Sequence, residues 1–144
     1  MITRVGIVVI ALLGMLLAAC GGTATSPSVS GQPIEVKIKL TDFNIESDIK
    51  TFEKGVTYRL KVTNEGMIAH DFTVLPVGAQ HDMSGAGMHD EGVVVQIPAS
   101  DLPPGGSKQV LMVFKETTAV TPLEMACHVP GHYQAGMKLG IAVN

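Results

Sequence analysis

From Ile34 the chain alternates. Ile34, Val36, Ile38 and Leu40 are apolar, while Glu35, Lys37, Lys39 and Thr41 between them are polar. A period of two sends one row of side chains to a buried face and the other to water, which predicts a half-buried strand. The pattern repeats over 56–62, just after Gly55, and again over 109–115 after the turn sequence Pro103-Pro104-Gly105-Gly106. Short apolar runs over 72–77 and 92–98 bracket a glycine-rich excursion, and runs over 122–127 and 137–143 complete the set. Seven or eight short strands separated by glycine and proline predict an all-β sandwich or barrel. No segment carries a helical period of useful length.

The first residues follow a different pattern. Arg4 precedes fifteen uncharged residues, 5–19. That is short of the roughly 20 needed to span a bilayer and matches the apolar region of a secretory signal peptide. Leu17-Ala18-Ala19-Cys20-Gly21 resembles the lipobox of bacterial lipoproteins. The resemblance implies cleavage before Cys20, a diacylglycerol on its sulfur, and anchoring at the extracytoplasmic face of the cell membrane. An uncleaved N-terminal anchor helix is the alternative. Residues 20–33 are small and polar without an apolar period, so they read as a flexible tether. The globular domain is then 34–144.

Charge and size narrow the function. Ten Lys and Arg stand against thirteen Asp and Glu, a net charge of −3 with no basic cluster, which argues against nucleic acid as partner because phosphate contacts need cations. The domain holds one modest core, suited to a small site rather than to a large enclosed cleft. Of the two cysteines, lipidation of Cys20 would leave Cys127 without a disulfide partner in an oxidising compartment. Such a thiol is either a buried apolar group or a metal ligand.

Its neighbours point to the metal. In the stretch from Cys127 to Met137, CHVPGHYQAGM, the ligand types Cys127, His132 and Met137 recur every five residues. Five extended residues span about 17 Å, so only a tightly turned loop can bring all three to one ion. Pro130-Gly131 and Gly136 supply that turn chemistry. Thiolate and thioether favour Cu(I), imidazole suits both copper states, and a Cys-His-His set with a weak axial Met is a blue-copper arrangement; zinc seldom takes Met. The second imidazole must come from elsewhere. His128 adjoins Cys127 and should point the other way, and His81 and His89 sit in the glycine-rich excursion. That leaves His70, at the entrance to a strand. Asp71 beside it is placed to accept hydrogen bonds that tie the two ligand segments together.

Asn64, five intervening residues, His70-Asp71-Phe72, then Cys127-x2-Pro-Gly-His132-x4-Met137 resembles the cupredoxin family of small blue copper proteins, in its auracyanin- and rusticyanin-like bacterial branch. The resemblance covers 34–144. It implies a Greek-key β-sandwich of seven to eight strands and one type 1 copper ion, with His70, Cys127 and His132 as equatorial ligands and Met137 as the axial one. It also implies electron transfer with redox proteins or membrane electron-transfer complexes, with His132 at an apolar docking surface. A single domain cysteine excludes a binuclear two-cysteine site, and Thr118–Pro122 replaces the Gly-x-Tyr step frequent in the family. The expectation is therefore a membrane-tethered, monomeric electron carrier and not an enzyme. The alternative is an exported copper carrier or resistance protein, favoured by the near-mirror run from His81 to His89. His81, Met83, Met88 and His89 there form a candidate auxiliary copper site.

Overall fold

The computed structural model describes residues 31–79 and 92–144. The expected signal peptide, the lipidation residue Cys20, most of the tether and the four residues His81, Met83, Met88 and His89 lie outside them.

Nine strands and one short 3-10 turn, Ala99–Asp101, make up the regular structure of the described residues, which contain no α-helix. Strands β1 (Ile34–Thr41), β2 (Asn44–Ser47), β4 (Thr57–Asn64) and β7 (Ser107–Val113) form one sheet in the order β2-β1-β4-β7. The other sheet, in the order β3-β9-β8-β5-β6, contains β3 (Thr51–Phe52), β9 (Lys138–Val143), β8 (Leu123–Ala126), β5 (Phe72–Pro76) and β6 (Val95–Ile97). Both sheets are mixed: β1 runs parallel to β4, and β3 parallel to β9.

Alternation explains the first sheet. Val36, Ile38 and Leu40 of β1 and Tyr58, Leu60 and Val62 of β4 are buried and paired in register, Val36 opposite Leu60 and Ile38 opposite Val62. They face Phe72, Val74, Met125, Ile141 and Val143 of the second sheet in one core. Ile34, expected inside, is 45% exposed because it lies at the very start of its strand. The structure also has two strands more than the shortest sequence count. β2 and β3 span four and two residues, too short for a period to show.

The strand directions place the site. β1, β5 and β8 lead into 42–43, out of 70–71 and into 127–128 respectively, and these three junctions meet at one end of the sandwich. At eight residues, β1 spans about 25 Å, so Ile34 lies at the opposite end of the sandwich from these junctions.

Candidate metal centre

Two segments build the site. The first, 65–71, carries His70. Asn64 at the end of β4 is fully buried and acts as its internal brace: its Nδ2 donates to the carbonyls of Ile68 (2.7 Å) and Leu102 (2.9 Å), and its Oδ1 accepts the Gly66 N–H (2.8 Å). His70 N–H then donates to the Leu102 carbonyl at 3.2 Å. An irregular loop with satisfied backbone groups holds its side chain as firmly as a strand would.

The second segment is the 127–137 loop, which closes on itself. Cys127 N–H donates to the Met137 carbonyl (3.1 Å), Met137 N–H to the His132 carbonyl (3.0 Å), and His132 N–H to the Val129 carbonyl (2.9 Å). Gly131 (φ 88°) and Gly136 (φ 103°) take the left-handed conformations that this compact path requires. Thus the ligand types spaced five apart do converge through a tight turn.

Asp71 links the two segments. Its Oδ1 accepts the N–H groups of His128 (2.7 Å) and Val129 (3.3 Å). The fully buried carboxylate thereby pins the start of the Cys127 loop to the His70 strand.

The donor atoms meet with the spacing of a metal site. His70 Nδ1 and His132 Nδ1 stand 3.1 Å apart, and Cys127 Sγ lies 3.8 Å from the first and 3.5 Å from the second. Ligands at metal bonds of roughly 2.0–2.3 Å, arranged trigonally, are separated by about 3.6 Å, so one ion fits between all three. All three residues are buried, and they form the one group of three or more His, Cys, Asp or Glu among the described residues whose ligand atoms gather this closely. Met137 is fully buried in the same core cluster. Together His70, Cys127, His132 and Met137 are arranged like a type 1 copper site.

Burial acts on the two donor types in opposite senses. Burial first, then the neighbouring His132, pushes the His70 pKa below the usual imidazole value, which keeps a lone pair free for a cation. Burial, followed by the Asp71 carboxylate, pushes the Cys127 thiol up to about 12. Without metal the sulfur is therefore protonated, and a bound metal must displace that proton.

His128 points away from the donors, as expected, although it lies just beyond the end of β8 at Ala126. Its Nδ1 lies 3.1 Å from Thr73 Oγ1, and its ring stacks on Tyr133 at 5.3 Å and 16°. Tyr133 does more than cover the loop: its hydroxyl donates to buried Glu124 at 2.7 Å, and Lys138 Nζ sits 4.3 Å over its ring.

Two contacts have no counterpart in the sequence reading. Phe43 packs edge-on against His132 at 5.2 Å, and Asp42 Oδ1 lies 3.5 Å from His70 Nε2. Both residues sit in the turn between β1 and β2, 28 residues from His70 and 89 from His132 respectively, and contacts at such separations leave no trace in local pattern.

The architecture superimposes on that of auracyanin from the photosynthetic bacterium Roseiflexus castenholzii, with a TM-score of 0.59 and 19% identity, covering 79% of this chain and 99% of that one. The chain has the cupredoxin fold. No protein-family model matches this cupredoxin-fold chain. Among curated proteins it is 31% identical over 116 residues to the copper-resistant cuproprotein CopI of Vibrio cholerae, covering 72% of this chain and 64% of the relative. It is 25% identical over 132 residues to the protein of the same name from Pseudomonas aeruginosa, covering 71% of each. The cupredoxin-fold chain thus spans less than two thirds of the length of the Vibrio relative.

Proposed function

We propose that this domain binds one copper ion through His70, Cys127, His132 and Met137 and carries single electrons between redox partners, tethered at the outer face of the cell membrane by a lipid on Cys20. The observation that carries the reading is the convergence of two imidazole nitrogens and a thiol within 4.8 Å in a buried pocket. Copper held there supplies a one-electron Cu(II)/Cu(I) couple. The chain's part is to keep the donors in one arrangement for both states. The closed 127–137 loop, the Asn64 brace and the Asp71 link all resist movement, so ligand rearrangement at each electron is small. Four protein donors leave no position for a substrate, which suits a carrier rather than an enzyme. Phe43 (49% exposed) beside His132, and Met67 (83% exposed) next to the same turn, give the ligand end an apolar surface for transient docking.

The test is the visible spectrum after addition of Cu(II). An intense band, bleached by reductant, restored by oxidant and abolished in Cys127→Ser, is expected from thiolate-to-copper charge transfer. Bound copper without such a band would refute a type 1 centre.

A second reading is copper handling in resistance, supported by the name of the two curated relatives and by the His81, Met83, Met88 and His89 run. Deletion of the gene separates the two. Copper sensitivity with unchanged respiratory or photosynthetic electron flow favours handling; the reverse favours the electron carrier.

A further inference from the structure

Thr41 of β1 pairs with Asn44 of β2, so the connection between these strands is the two-residue turn Asp42-Phe43. One such turn reaches both histidines of the site, Asp42 to His70 and Phe43 to His132. The turn is strained: Phe43 has φ 68°, the one positive φ among described residues other than glycine. A left-handed non-glycine residue is costly and persists where the surroundings over-determine it. Here the Met67 N–H donates to Asp42 Oδ1 at 3.1 Å, and the same oxygen lies 3.5 Å from His70 Nε2. That nitrogen is buried and makes no hydrogen bond in the described structure, so the Asp42 carboxylate is the acceptor within reach. A third residue makes the approach possible. A Cβ on Gly66 would fall 2.5 Å from Asp42 Oδ1 and 2.8 Å from His70 Nε2, so only glycine leaves room for carboxylate and imidazole to meet.

We propose that Asp42, admitted by Gly66 and held by the strained turn, is the outer partner of His70: it orients the ring so that Nδ1 faces Cys127 and His132, and its charge favours Cu(II) over Cu(I). The inference rests on the copper reading above. Its physics is general. A histidine that ligates through one nitrogen donates the N–H of the other to an acceptor, and a carboxylate there raises the ligand's basicity. A negative charge also stabilises the more highly charged metal more strongly. Asp42 is a positioning residue, since it does not itself reach the donors.

The test compares wild type with Asp42→Asn, Gly66→Ala and Glu65→Gln, each loaded with copper and poised at one fixed ambient potential while the charge-transfer band is read. Asn is isosteric and keeps an oxygen for the Met67 N–H. Gly66→Ala leaves every charge in place and wedges carboxylate from ring. Glu65→Gln removes a carboxylate from the same loop that pairs with Lys39 and does not touch His70. The expected result is a Cu(I):Cu(II) ratio raised about three- to ten-fold in the first two variants and unchanged in the third. An unchanged ratio in Asp42→Asn overturns the proposal. So does a shift in Asp42→Asn without one in Gly66→Ala, which would mean charge at a distance, or an equal shift in Glu65→Gln. A wild-type protein that takes up copper without the band refutes the ligand reading itself, and this inference with it. Circular dichroism of the copper-free variants separates a misfolded protein from a retuned one.

Discussion

Asp71 carries more of the site than its size suggests. One carboxylate oxygen satisfies two backbone N–H groups of the ligand loop, and the residue is fully buried, so water cannot replace it. Asp71→Ala would orphan both donors. At about 1–3 kcal/mol for a buried unsatisfied group, it should lower the unfolding free energy of the copper-free protein by roughly that amount, measured by urea denaturation. Asp71→Asn keeps the acceptor and should recover most of the loss. Equal stability of the Ala variant and wild type would show that the two segments are joined by something else. Glu124 plays a comparable part on the outer face of β8, accepting from the Tyr133 hydroxyl and from the Gly78 N–H (3.2 Å). The hydrogen bond that the Tyr133 hydroxyl donates to Glu124, followed by burial and the charge of that carboxylate, raises the Tyr133 pKa above the usual phenol value.

At the scale of the element, the decisive piece is the loop from Cys127 to Met137. Its path depends on left-handed glycines, and a Cβ at either Gly131 or Gly136 would meet nothing within 4 Å. Substitution there is therefore a test of conformation alone, free of clashes. Gly136→Ala should destabilise by about 1–2 kcal/mol and, because the strain is relieved by moving Met137, shift the charge-transfer band as well. A thermal melt and a spectrum check both; a melt unchanged from wild type would mean that the loop tolerates another path. The same element holds His132, a residue only 5% exposed. Removing it in His132→Gly should open a position that added imidazole fills and should slow exchange with redox partners, both visible by stopped-flow absorption.

For the whole molecule, the metal couples the pieces. β1 and β8 end and β5 begins at one pole of the sandwich, and the ligands beside β5 and β8 come from segments far apart in sequence. No preformed site exists in the unfolded chain, so metal binding free energy is folding free energy. Loading at a hundred-fold excess over the dissociation constant should add about 2.7 kcal/mol. Stripping the copper with a chelator should lower the melting temperature correspondingly. A melting temperature indifferent to copper would argue against ligands drawn from segments far apart in the chain.

Much of this was legible in the residues themselves. Alternation in β1 and β4 predicted their burial, since a strand's two faces see different solvents. The five-residue spacing of Cys127, His132 and Met137 required a tight turn because chain length is fixed and one ion is small, and adjacency to Cys127 argued that His128 faces away from the ion. These are local consequences of backbone geometry. Tertiary structure alone decided the surroundings of the donors. Asp42 and Phe43 reach the histidines from a turn that neither period nor motif announces, Gly66 matters for space that only the folded chain defines, and the Glu124–Tyr133 bond joins residues whose side chains meet only once β8 and the loop are packed. Sequence pattern records which way each residue faces; which distant residue it then faces is settled by how the two sheets pack.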